Sequence, residues 1–241
     1  FDSSNISLAL NINPSGDSHP ANMPVFDGKL FFSADDGTNG FELWSFDGVS
    51  GVLEADINPN GSSYPSGDKL AVFQDKLFFG AGDDTYGFEL WSFDGTNATL
   101  EADIVQGTGH SQPHFLTLYA GKLFFFARTN PSSSSMDLWS YDGSSASLEA
   151  DIVIPIDFGR VESIPRIYGG KLYFDAYDSA HGNELWSFTD PSVGIDETYS
   201  ISPTVYPNPG SGFFNISSSL EVQDVKVFNS MGHTAKPIMW R

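Results

Sequence analysis

Phe88-Glu89-Leu90-Trp91-Ser92-Phe93-Asp94-Gly95 decides how this chain is read. The stretch recurs as Glu42-Leu43-Trp44-Ser45-Phe46-Asp47-Gly48, as Asp137-Leu138-Trp139-Ser140-Tyr141-Asp142-Gly143, and as Glu184-Leu185-Trp186-Ser187-Phe188. Its tryptophans are spaced 47, 48 and 47 residues apart. A fixed period of that size marks a repeat architecture and outranks any local signal.

Working outward from the second copy, four strands are expected in each repeat. Lys69–Phe73 reads as a short apolar strand (A). Gln74-Asp75 turns the chain into Lys76–Gly80 (B). The acidic stretch Asp83–Gly87 leads to Phe88–Phe93 (C), and Asp94-Gly95 opens the turn to Thr99–Ile104 (D). The tight-turn slot holds Asp27-Gly28, Ala120-Gly121 and Gly169-Gly170 in the other copies, residue types that accept the positive φ of a two-residue hairpin. Strand B reads Lys-Leu-Phe-Phe or Lys-Leu-Tyr-Phe throughout. Consecutive large apolar residues point to opposite faces of a sheet, so strand B must be covered on both sides. The mid-strand tryptophans read as packing between sheets. The other reading is an exposed ring for stacking sugars.

Sheets covered on both faces are what a β-propeller supplies. The fold expected is all-β: a four-bladed propeller over 1–189, with blades at 22–57, 68–104, 114–152 and 164–188. The last blade lacks a strand D, and Leu8-Ala9-Leu10-Asn11-Ile12 aligns with strand D of the first repeat, Leu53–Ile57. Residues 7–12 are therefore expected to pair beside 184–188 and close the ring, which removes free sheet edges. An open stack of β-meanders is the runner-up. The D-to-A connections share Ser-x-Pro: Ser18-His19-Pro20, Ser63-Tyr64-Pro65, Ser111-Gln112-Pro113 and Ser163-Ile164-Pro165. A linker is expected over 190–202 and a partial β-sandwich over 203–241.

Composition narrows the function classes. Thirty-one acidic against eleven basic residues leave a net charge of −20, which gives no basic patch for nucleic acid. With no cysteine, disulfides and thiol chemistry are excluded. The sequence has no apolar run long enough to span a membrane.

The four Glu/Asp-Leu-Trp-Ser-Phe/Tyr copies resemble the bacterial ELWxxDGT repeat family of large secreted or surface proteins. Only Asp94-Gly95-Thr96 carries the full ending. The family implies no activity. The run Val205-Tyr206-Pro207-Asn208-Pro209, Gly212-Phe213-Phe214 and Val225–Gly232 resembles the C-terminal sorting domain of the type IX secretion system of Bacteroidetes. That resemblance implies export, engagement of the secretion machinery through 203–241, and a location outside the cell or on its surface. Such domains continue with further strands. A truncated domain is therefore expected here, with an unpaired edge able to take a partner strand and form an oligomer.

Antiparallel order places the D-to-A links and B–C loops at one end of the sheets, where binding residues gather. Candidate ligand-binding residues there are His19, Tyr64, His110 and Gln112, facing a glycan or a surface protein. Asp35, Asp36, Asp83 and Asp84, followed by Glu42 or Glu89, offer the oxygen ligands that Ca²⁺ takes, and turn chemistry is the competing reading. No other cofactor is expected. No nucleophile motif or marked carboxylate pair stands out, so the expected role is non-catalytic: adhesion or ligand capture, with no enzyme activity. The alternatives are a structural or filament-forming surface protein and a polysaccharide-active enzyme.

Overall fold

The computed structural model describes residues 6–133, 135–155 and 164–192. It also gives the backbone of 204–206, 215–217, 227–228 and 234–235, and leaves aside the side chains of 66–69 and 154–155. The chain divides into two compact units, Phe1–Val193 and Gly194–Arg241. Every regular element among the described residues is a β-strand.

The first repeat forms an antiparallel sheet of β1 (Val25–Phe26), β2 (Lys29–Asp35), β3 (Phe41–Phe46) and β4 (Gly51–Ala55), in sequence order. The second does the same with β5 (Ser66–Phe73), β6 (Lys76–Asp83), β7 (Gly87–Phe93) and β8 (Ala98–Ala102). The third comprises β9 (His114–Tyr119), β10 (Lys122–Ala127), β11 (Ser135–Tyr141) and β12 (Ala146–Pro155). The fourth has three strands, β13 (Arg166–Tyr168), β14 (Lys171–Asp178) and β15 (Gly182–Phe188). It joins the third through Val153 of β12, which pairs with Tyr177 of β14. In the second unit β16 (Thr204–Tyr206) pairs with β17 (Asn215–Ser217), and β18 (Val227–Phe228) with β19 (Thr234–Ala235).

The A–B hairpins form as their sequences dictate: even Gln74 and Asp75 take φ of 48° and 59° to make the tight turn. The apolar code of β2, β6, β10 and β14 then sets the packing. Leu77 and Phe79 face back toward the first repeat, in a core shared with Phe31, Leu43 and Ile57. Phe78 faces forward, into a core with Leu116, Leu123 and Phe125 of the third. Phe124 and Phe126 face forward again, against Leu172 and Phe174 of the fourth. Each buried Phe or Leu contributes about 1.5–3 kcal/mol, so the cores between repeats hold the unit together. The tryptophans follow the same rule: Trp91 and Trp139 pack backward, into the preceding core.

One expectation fails. Residues 6–12 carry no strand, and the described partner of β15 is β14 alone. The pairing of 7–12 beside 184–188 is not formed. The segment lies instead on the first repeat, where a Cβ on Gly51 would sit 2.4 Å from Leu10 Cδ2. Ala9 stands where strand D of each four-stranded repeat has Glu54, Glu101 or Glu149. That glutamate takes a hydrogen bond from the strand-C serine (Ser45, Ser92, Ser140) and an ion pair from the lysine opening strand B (Lys29, Lys76, Lys122). Without it, the amino-terminal segment lacks one of the ties that dock a fourth strand.

Candidate functional site

The recurrent glutamate of the third strand is buried, and it does not face a ligand. Glu42 accepts hydrogen bonds from the Ile57 amide (2.8 Å), the Ser63 amide (2.8 Å) and the Ser63 hydroxyl (2.5 Å). Glu89 repeats the arrangement with Ile104 (2.9 Å), the Ser111 amide (2.9 Å) and the Ser111 hydroxyl (2.5 Å). Asp137, one methylene shorter, takes the Ile152 amide (3.2 Å) and the Thr129 hydroxyl. Burial holds all three carboxyls above the usual carboxylate range, and the hydrogen bonds oppose that shift. Glu42, Glu89, Ser63 and Ser111 are fully enclosed, so these acids cannot reach a substrate.

The serine of Ser-x-Pro is the other half of the joint. While its amide and hydroxyl bind the repeat behind, its carbonyl accepts the Gly82 amide (2.9 Å) of the repeat ahead, and Ser111 does the same with Arg128 (2.7 Å). The next residue must turn at once. Its amide reaches back to the carbonyl of Phe41 or Phe88, and the backbone goes left-handed: His19, Tyr64 and Gln112 have φ of 43°, 50° and 52°. Each costs about 1–2 kcal/mol for an L-residue; at Tyr64 and Gln112 the two-sided joint over-determines it, and at His19 the Ser18 carbonyl holds the link through the Asp35 amide. Three candidate ligand residues are therefore equivalent positions of one structural device. His110, the fourth, accepts the Phe88 amide on Nδ1 (2.8 Å), as the Ser62 hydroxyl does for Phe41.

The joints bring the links and B–C loops to one rim. Asn60 donates to Asp84 (3.2 Å), and Gly40 abuts Gly61 and Ser62. On that rim Phe41 stacks between His19 (6.4 Å, 29°) and Tyr64 (5.2 Å, 20°). Tyr64 is 54% exposed, so the row presents aromatic surface to solvent. Gln112 and His110 belong to the next joint along.

The candidate cation ligands are engaged by their own turns. Asp36 receives the Thr38 and Asn39 amides, Asp35 the Gly37 amide, and Asp83 the Thr85 and Tyr86 amides. Among the described residues no three His, Cys, Asp or Glu side chains gather as a metal site. Asp84 retains exposure, as do Asp17 and Asp56. The Ser163 link lies outside the described residues, as does most of the 203–241 motif.

The chain is similar to an α-L-arabinofuranosidase from Clostridium thermocellum (13% identity over 69% of this chain and 62% of that one, TM-score 0.34). It is similar to a family 117 glycoside hydrolase from the marine bacterium Zobellia galactanivorans (13%, 72% and 66%, TM-score 0.37) and to Aleuria aurantia lectin bound to α-methyl-L-fucoside (10%, 70% and 60%, TM-score 0.34). The chain spans less than two thirds of the length of each. These likenesses describe an all-β, propeller-like unit. Against the expected role in adhesion or ligand capture, two of these three are glycoside hydrolases and the third is a lectin, so the polysaccharide-active alternative is the reading taken up below. No curated protein matches the chain. Residues 204–238 match the secretion system C-terminal sorting domain, so this chain carries, after its repeats, the signal for export to the cell surface or beyond.

Proposed function

We propose that the chain acts on polysaccharide outside the cell. In this reading the four repeats are four blades of the ELWxxDGT type, and the rim carrying the D-to-A links is the substrate face. The observation that carries it is the row His19–Phe41–Tyr64, set by the links that flank the first repeat and open to solvent. An aromatic row of this kind offers flat apolar area to the faces of sugar rings. The repeat glutamates are enclosed. Glycosidic cleavage uses a pair of carboxyl groups, so the acid chemistry falls to exposed rim carboxylates, with Asp17, Asp56 and Asp84 as the candidates.

The test is release of reducing ends from a panel of soluble polysaccharides by the purified chain. Turnover on at least one substrate is expected. It should fall about tenfold or more in Tyr64→Ala while circular dichroism shows the variant folded, since loss of one stacked ring contact costs about 0.5–1.5 kcal/mol. No product from any substrate, or full activity in Tyr64→Ala, would sink this reading.

A further inference from the structure

The first and fourth repeats each carry half of a joint that no described residue completes. At the fourth repeat Glu184 occupies the position of Glu42 and Glu89, but it is exposed and accepts no hydrogen bond from a described residue. Leu185 is 74% exposed, whereas Leu43, Leu90 and Leu138 at the same position are fully buried. The outer edge of β15 is unpaired among the described strands.

At the other end, residues 8–18 have the sequence and geometry of the segment that enters a joint. The Ser18 carbonyl accepts the Asp35 amide as Ser63 accepts Gly82. The Asn13 carbonyl accepts the Gly16 amide as Asn58 accepts Gly61. Leu10 covers Gly51 of the first repeat, and its counterpart Ala55 packs against the core shared with the second. Yet the Ile12 amide, the Ser18 amide and the Ser18 hydroxyl donate to no described residue, although their counterparts bind Glu42 or Glu89. One end holds the acceptor and the apolar face; the other holds the donors.

We propose that these halves join between molecules: residues 8–18 of a second copy dock on Glu184 and on the edge of β15 that no described strand pairs. This is a head-to-tail contact in which two different surfaces of the same chain meet, so it propagates unless its rotation closes a ring. The added strand meets the edge of β15, and the Glu184 carboxylate that the contact encloses supplies the specificity. Since Ala9 replaces the strand-D glutamate, the contact lacks one tie of the internal joints and is reversible and concentration-dependent.

The absence of cysteine gives a clean test. Internal joints pair Leu43 with Ala55 and Leu90 with Ala102, so Leu185 would face Leu10 of the second copy. Directly opposed strand residues have Cβ atoms about 4.5–5.5 Å apart, near disulfide range. Full-length Leu10→Cys and Leu185→Cys chains, mixed under mild oxidation, should give a mixed disulfide dimer in excess over either homodimer. Sedimentation velocity of the unmodified chain should show mass rising with concentration. Glu184→Ala should weaken that association at least fivefold while leaving the melting temperature and circular dichroism unchanged. Cross-linking confined to the double variant within one chain, no cross-linking at all, or a concentration-independent monomer would each overturn the proposal. These readouts do not depend on activity toward polysaccharide.

Discussion

The Ser63 hydroxyl lies 2.5 Å from Oε2 of Glu42, and that contact fastens the link leaving the first repeat to the sheet it has just left. The same serine's carbonyl holds the second repeat. A residue pair 21 positions apart thus fixes how two sheets face each other, and the apolar core between them fills around it.

The two halves of this contact should fail unequally. Ser63→Ala removes one hydrogen bond to a buried charge and should cost roughly 2 kcal/mol. Glu42→Ala leaves the Ile57 amide and the Ser63 hydroxyl enclosed without their acceptor, and should cost about 3 kcal/mol or more. Urea midpoints at constant slope would check this. Equal losses in both variants would mean the carboxylate is better solvated than its enclosure indicates.

Acidity separates the joints from the turns. Burial raises the Glu89 carboxyl, so the folded chain holds that proton more tightly than the unfolded one. Its contribution is fully present below the ordinary unfolded value and is lost as pH rises through the raised folded value. Asp47, Asp94 and Asp142 behave oppositely. The amides of Ser50, Asn97 and Ser145 lower them, so their contribution is present above the ordinary value and lost as pH falls through the lowered one. Glu89→Gln removes the joint's share and leaves the turns intact. The melting-temperature advantage of the parent over Glu89→Gln should therefore widen as pH drops from 7 to 5. An advantage that does not change with pH over that range would contradict this assignment.

Much of this was legible because it is periodic. The 47-residue spacing, the apolar Leu-Phe-Phe and the turn glycines each report a local choice, and local choices repeat visibly. The joint was not read, although both members recur. Glu42 stands next to an acidic loop, so it resembled a cation ligand, and Ser-x-Pro resembled a connection. Hydrogen-bonded pairs 21 or 22 residues apart leave no hydrophobic period. The available signal was that Glu42–Ser63 and Glu89–Ser111 keep nearly the same separation in each copy. The candidate site shows the same limit: His19 and Tyr64 read as loop residues, and their stacking on Phe41 depends on a left-handed backbone at each, which at Tyr64 the joint imposes. The amino-terminal segment misled for the opposite reason. Its likeness to strand D is real, and it packs as one against the first repeat, but sequence alone could not say which edge it would meet.

Two glycines at positive φ should respond very differently to alanine. Gly95 follows Asp94 in the C–D turn at φ +94°, and a Cβ there meets nothing within 4 Å. Gly95→Ala therefore carries only the left-handed penalty, about 1–2 kcal/mol. Gly87 opens β7 at φ +66°, but a Cβ there would lie 1.8 Å from the Gly109 carbonyl oxygen and 3.0 Å from that of Thr108. Those carbonyls belong to the link running into the Ser111 joint, so alanine must push that link off the sheet and strain the Glu89 hydrogen bonds with it. Gly87→Ala should cost well over 3 kcal/mol, in the range that signals overpacking. It should also expose the core around Phe78 and Leu90, raising binding of an apolar dye at temperatures where Gly95→Ala stays folded. Matched losses in the two variants would show that the link yields freely at this point and that the joint does not anchor it.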